Sequence, residues 1–270
     1  MRYVLFSRRS FVRAGTVQAL AAFVLICGLA SPGRAQPRPL DVPYVPTPEH
    51  IVEAMLKLAR PTKDDFLVDL GCGDGRIPIT AAKKYGVNGL GVDLNPVRIK
   101  EARTNADKAG VADKVRFIEG DLFETDFSKA SVLTLYLLPE VNMRLRSEIL
   151  MMKPGTRVVS HAFHMEDWKA DATEHFDFRT VYHWVVPAQV AGRWAGTVGH
   201  SKVEIELTQK FQELTGTAVI DGKPAGAATG KVSGEAIRIE VEQAGAAIQK
   251  LSAVLKGSVL EGDGVRLARQ

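Results

Sequence analysis

The sequence predicts an α/β fold, a parallel sheet with helices on both faces, followed by a small antiparallel β domain. Three observations predict it. Short apolar runs alternate with helix-period segments between about residues 62 and 187. A glycine-rich loop, Gly71-Cys72-Gly73-Asp74-Gly75, connects the first of those runs to a helix. Beyond about residue 188 the pattern shifts to period two, with glycine-punctuated turns such as Asp221-Gly222.

Residues 1–35 read as a secretory signal peptide. Arg2, Arg8, Arg9 and Arg13 precede an apolar run from Ala14 to Ala30, and Gly33 and Ala35 suit positions −3 and −1 of a cleavage site. The stretch Ser7-Arg8-Arg9-Ser10-Phe11-Val12-Arg13 resembles a twin-arginine export signal. An ordinary Sec signal or an uncleaved anchor fits the same pattern less well. The run is somewhat short for a membrane span, which needs about 20 apolar residues. The expected location is periplasmic or otherwise exported, with no stable membrane span after cleavage.

The formal charge of +4 comes from this segment, which holds five arginines and no acid. That leaves 30 of the 35 basic residues against 31 acidic ones, so nothing suggests a nucleic-acid-binding stripe. Of the two cysteines, Cys27 belongs to the signal. Cys72 is then alone, which excludes an internal disulfide or a cysteine metal cluster.

Residues 36–61 form a lead-in with five prolines up to Pro48, then an amphipathic helix marked by Ile51, Met55, Leu56 and Leu58. The alternating pattern that follows predicts strands at 66–70, 89–92, 115–118, 131–137 and 156–162. Helices are expected at 77–85, 95–109 and 139–152. Pro96 at a first turn and Gly110 just past a last turn mark the ends of the middle helix. In the tail, Gly230–Val241 weakly echoes Gly257–Ala268, as two similar glycine-punctuated strand pairs would. A small antiparallel sheet or barrel is expected over 188–270.

The glycine loop lies where open α/β folds bind ligands, at the carboxyl edge of the sheet. Asp69 precedes it, Asp74 lies within it, and no Gly-Lys-Ser/Thr end follows. Carboxylates there suit a ligand with an amino group and suit diphosphate poorly. Asp93, 22 residues on from Gly71, ends the next strand, where an acid accepts hydrogen bonds from ribose hydroxyls. Asp121 follows the third strand, where a carboxylate can hold an adenine amino group. Each has a plainer alternative: a tight turn for the glycines, a helix cap for Asp93, a turn residue for Asp121. The spacing G-x-G-x-G also differs from the G-x-G-x-x-G of dehydrogenases.

The set DLGCGDGR, GVDLNP and GDLF resembles class I S-adenosylmethionine-dependent methyltransferases, with a Rossmann-like sheet. With PYVPTP (Pro43–Pro48) and SHAFHMEDW (Ser160–Trp168), the resemblance narrows to one group. That group holds the lysine methyltransferases of the ATP synthase c-subunit and the adenine nucleotide translocase, with their bacterial relatives. The resemblance covers about residues 41–185 and leaves the β-rich tail outside the eukaryotic pattern. It implies S-adenosyl-L-methionine as cofactor. Asp69, Gly71, Gly73 and Gly75 would contact its methionine part, Asp93 its ribose and Asp121 its adenine. Cys72, Leu94 and Leu122 are assigned to the same site.

Tyr44 and Thr47 would close over the methyl donor, and Tyr136 would border the acceptor slot as the third candidate catalytic residue. Ordinary packing is the alternative for all three. The acceptor is expected to be a protein, methylated on lysine in the resembling group, or a small molecule. Leu135-Tyr136-Leu137-Leu138-Pro139 lacks the Asn/Asp-Pro-Pro-Tyr/Phe tetrad of enzymes that methylate base amino groups. No metal is expected, since His161, His164 and Asp167 have no further ligand evident. Trp168 either covers the cofactor or packs, and Trp184 and Trp194 read as core. A non-catalytic adenosyl-ligand-binding or envelope-interaction protein is the alternative function.

Overall fold

The computed structural model describes residues 44–176, 178–243 and 246–270. The predicted export signal and the start of the proline-rich lead-in lie outside these residues. Helix α1 (Glu49–Ala59) leads into an alternating series: β1 (Phe66–Leu70), α2 (Arg76–Tyr85), β2 (Asn88–Asp93), α3 (Pro96–Ala109) and β3 (Val115–Glu119). Then come β4 (Val132–Leu135), α4 (Pro139–Leu150), β5 (Arg157–His161), β6 (Ala172–Phe176) and β7 (Arg179–Val185).

These strands form one seven-stranded sheet in the order β3-β2-β1-β4-β5-β7-β6. Strands β1 to β5 are parallel, each linked by a helix or a long connection. Period-two burial splits the sheet between two cores. Leu67, Val132, Val159 and Val181 pack with the apolar side of α1, from Ile51 to Ala59. Val68, Leu133 and Val158 pack with Val141, Leu145 and Ile149 of α4 on the other face. Each such side chain contributes on the order of 1.5–3 kcal/mol by leaving water. The N-terminus of α3 is capped as its sequence suggests, with Val97 N–H donating to Asn95 Oδ1 at 2.9 Å.

Two expectations are corrected. The sheet is mixed, because β7 runs antiparallel to β5 and β6 antiparallel to β7. The β6–β7 connection is too short for a crossover, so only a hairpin can form. Strand β4 ends at Leu135, two residues before the expected boundary at 137. Tyr136 and Leu137 therefore leave the ladder and face the cleft described below.

The remainder is a closed eight-stranded antiparallel barrel. Its strands are β8 (Gly192–Val198), β9 (Ser201–Lys210), β10 (Glu213–Ile220), β11 (Lys223–Ser233), β12 (Ala236–Gln243), β13 (Ala246–Lys256), β14 (Val259–Gly262) and β15 (Val265–Arg269). Each pairs with the next in sequence, and β15 closes on β8. The two echoing segments are both hairpins, turning between Ser233 and Ala236 and between Gly262 and Val265. Inward side chains such as Trp194, Ile205, Leu214, Ile239 and Leu267 fill the interior. Closure brings strands unusually near at glycines. A Cβ on Gly216 would sit 1.9 Å from Glu206 O, and one on Gly196 would sit 2.0 Å from Arg266 O.

The β9–β10 turn docks the barrel on the sheet domain. Phe211 stacks on Trp168 at 5.9 Å, Arg146 lies 5.4 Å from the Phe211 ring, and Gln212 Nε2 donates to Lys169 O at 2.7 Å. Trp168 is fully buried, and Trp184 Nε1 donates to its carbonyl at 2.9 Å. Packing, not cofactor coverage, is thus the place of Trp168. No helix among the described residues is long and apolar enough to cross a membrane.

Candidate active site

The carboxyl ends of β1, β2 and β4 and the arm Tyr44–Thr47 surround a cleft of about 890 Å³, counting its open mouth. The backbone at Gly71, Gly73 and Gly75 has φ of 75°, 53° and 78°. Only glycine adopts such values without strain. At Gly73 the demand is also spatial, since a Cβ there would lie 2.6 Å from the Tyr44 ring.

Asp69, near the end of β1, is almost fully buried, and Thr134 Oγ1 donates to its Oδ1 at 2.7 Å. Burial pushes its pKa up to about 7; the Thr134 hydrogen bond opposes this, and the charges of Asp93 and Asp74 add to it. Asp93 accepts from Gly73 N–H at 2.9 Å and from Asn95 N–H at 2.8 Å, so one carboxylate ties the glycine loop to the start of α3. Asp121 accepts from Phe123 N–H at 2.9 Å. Burial works to raise the pKa of Asp74, but the Arg76 guanidinium outweighs it and holds the carboxyl below its usual range. Cys72 is buried, and burial with the nearby acids pushes its thiol pKa up, so the sulfur stays protonated.

Of the residues named from sequence, Tyr44, Thr47, Asp69, Gly71, Cys72, Gly73, Asp93, Leu94, Asp121, Leu122 and Tyr136 line this one cleft. Gly75 stands apart. It caps α2, and a Cβ there would lie 2.6 Å from Phe117 Cζ, so it serves close packing of the loop on β3. Asp74, read from sequence as one of the loop carboxylates that suit an amino group, lines the cleft too, and sequence reasoning passed over Arg76 and Arg98, which also line it. Both arginines sit in the first turn of a helix that follows a motif, which was the available signal.

On the acceptor side, the His161 ring lies tilted against Tyr136 with centroids 3.9 Å apart, and its Nδ1 lies 3.4 Å from Thr47 Oγ1. Burial first, then Arg179 and His50, lowers the His161 pKa to about 4, so the imidazole is neutral at physiological pH. His164 Nδ1 accepts from Glu166 N–H, and Asp167 pairs with Arg146 and Lys210. Among the described residues no group of three potential ligands is placed to hold a metal.

A cleft walled by four carboxylates, whose arginines are engaged, Arg76 by Asp74 and Arg98 by Glu101 and the Tyr44 ring, favours a cationic ligand that carries a nucleoside. The donor set fits S-adenosylmethionine, with its sulfonium, ammonium, ribose hydroxyls and adenine amino group. On this sheet order, such a site defines an S-adenosylmethionine-dependent methyltransferase.

Comparison with known proteins agrees. The model of the ANTKMT methyltransferase domain family matches residues 69–172. A protein-lysine N-methyltransferase of Saccharolobus islandicus (strain REY15A) is 50% identical over 129 residues, 47% of this chain and 80% of that protein. The adenine nucleotide translocase lysine N-methyltransferase of Mus musculus is 35% identical over 161 residues, and the match spans 58% of this chain and 69% of the mouse protein. An RNA methyltransferase from Salinibacter ruber, solved with S-adenosyl-L-homocysteine, superposes with a TM-score of 0.53 at 50% identity. It covers 54% of this chain and 96% of its own. The chain belongs to this methyltransferase family and uses S-adenosylmethionine.

Proposed function

We propose that the protein is a protein-lysine N-methyltransferase that acts outside the cytoplasm. One observation carries the lysine reading. Thr47 and Tyr136 wall the same cleft as the four carboxylates, and the neutral His161 backs both of them. A recess with an aromatic wall backed by an uncharged imidazole favours the neutral amine that a lysine must present. The curated relatives that methylate lysine add support, and the near-neutral charge outside the signal speaks against RNA as acceptor.

Bound S-adenosylmethionine supplies a methyl group already activated on sulfur. The chain's task is then to hold, align and dry the reacting partners. Asp93 takes the ribose hydroxyls and Asp121 the adenine amino group, between Leu94 and Leu122. Asp69, Asp74 and the backbone of Gly71, Cys72 and Gly73 take the methionine end. Tyr44 and Thr47 cover the donor, and Tyr136 orients the acceptor amine.

The test is transfer of labelled methyl from S-adenosylmethionine to an envelope protein extract, with total RNA as a parallel acceptor. Label on lysine, found by mass spectrometry, supports the proposal. Label on RNA alone, or saturable cofactor binding with no transfer, overturns it in favour of an RNA enzyme or a non-catalytic binder.

Export rests on the N-terminal pattern. A twin-arginine route carries folded proteins, so the cofactor would travel inside. Periplasmic protein recovered without any adenosyl compound, and unable to bind one, would sink this part of the reading.

A further inference from the structure

The arm Tyr44–Thr47 has few means of holding itself in place. Pro46 and Pro48 have no N–H, and the arm belongs to no strand. Contacts from elsewhere hold it. The Tyr44 ring lies against Gly73, and Arg98 covers that ring at 4.4 Å. Thr47 Oγ1 meets His161 Nδ1.

A further contact differs in kind. Arg76 Nη1 donates to the Thr47 carbonyl at 2.7 Å. The same guanidinium grips both oxygens of Asp74 in the glycine loop, with Nε at 2.9 Å and Nη2 at 2.6 Å. Its planar fork thus joins arm and loop in a fixed geometry that lysine cannot reproduce. Asn105 Nδ2 donates to the Asp74 carbonyl at 3.0 Å, which anchors the loop side of the joint to α3.

We infer that Arg76 is a positioning residue, a latch that holds the arm shut across the cleft, so that cofactor leaves only when its bond to Thr47 opens. This rests on the proposed reading that the arm covers the donor. Nothing in it requires Arg76 to touch the cofactor, and that separates the latch from an ordinary binding role.

Two measurements on the full chain test it. The first is chymotrypsin cleavage at Tyr44–Val45 in ligand-free protein. The second is the dissociation rate of S-adenosylhomocysteine by stopped flow. Arg76→Gln is expected to speed both about tenfold, with an unchanged melting temperature and little change in association rate. Arg76→Lys should fall between, and it replaces the glutamine variant if that one does not fold. In a Tyr44→Ala background, where the arm is already loose, the Arg76 substitution should alter dissociation less than about twofold.

Equal cleavage rates in variant and parent overturn the inference. So does a tenfold effect that persists in the Tyr44→Ala background, since Arg76 would then act on the ligand itself or through Asp74, and not through the arm. If the parent chain binds no S-adenosylhomocysteine, the reading of the cleft fails instead, and the cleavage rates still decide whether Arg76 latches the arm.

Discussion

The sheet domain and the barrel are both built from strands, yet they end them differently. In the sheet, Asp69 and Asp93 stand at the carboxyl ends of β1 and β2 and Asp121 just past β3, and this edge stays open as a cleft. In the barrel every strand turns back to its neighbour, and the interior is packed with apolar side chains. An open edge leaves backbone and acids for a ligand, whereas a closed ring of hydrogen bonds uses them on itself. The chemistry therefore belongs to the sheet, and the barrel is a solid body docked through Phe211.

Substitutions can break that contrast, and the largest effect is expected in the barrel. Gly216→Val places a side chain where the Glu206 carbonyl sits, and should cost about 4 kcal/mol or prevent closure. Denaturant unfolding measures this. Any cofactor affinity change beyond twofold in the still-folded protein would show that the two regions are not independent.

In the cleft, Asp93→Ala removes an acceptor that also ties Gly73 to Asn95. Binding of S-adenosylhomocysteine should weaken about 100-fold by titration calorimetry, at roughly 1.5–3 kcal/mol per charged hydrogen bond. An unchanged affinity would make Asp93 a mere cap.

At the joint, Phe211→Ala gives up the stack on Trp168, worth about 2 kcal/mol with its burial. Calorimetry should then resolve two melting transitions in place of one.

The smallest effect is a pH dependence. Asp69 binds its proton more tightly folded than unfolded, so stability falls as pH rises from about 4 towards about 7 and levels off above. Asp69→Asn, which still accepts from Thr134, should flatten that slope and be the more stable of the two chains at pH 8. A cationic cofactor favours the ionised carboxylate. Its affinity should therefore rise with pH through the same region in the parent chain and not in the variant.

What the sequence disclosed follows the range of its signals. The βαβ order and the strand-end acids are local patterns, each readable within a few residues of its own strand. The β6–β7 hairpin escaped because Ala172–Phe176 is a half-exposed edge strand whose polar residues mask its period. The latch escaped because it is long-range: Arg76 meets Thr47 across 29 residues, and Thr47 meets His161 across 114. Gly75 looked like a cofactor contact because motif spacing does not tell which glycine faces Phe117. Closure of the barrel depends on β15 finding β8, and no short window of sequence carries that pairing.

That last pairing has a mechanical side. β8 enters the barrel next to the point where β15 leaves it, with Trp194 opposite Arg269. Force between the sheet domain and the C-terminus thus pulls on two adjacent strand ends. The seam between β15 and β8 is loaded as a zipper, one rung at a time, and not in shear across all its rungs at once. A pull on Arg269 against the sheet domain would peel the barrel open at low load, rung by rung from the Trp194–Arg269 end.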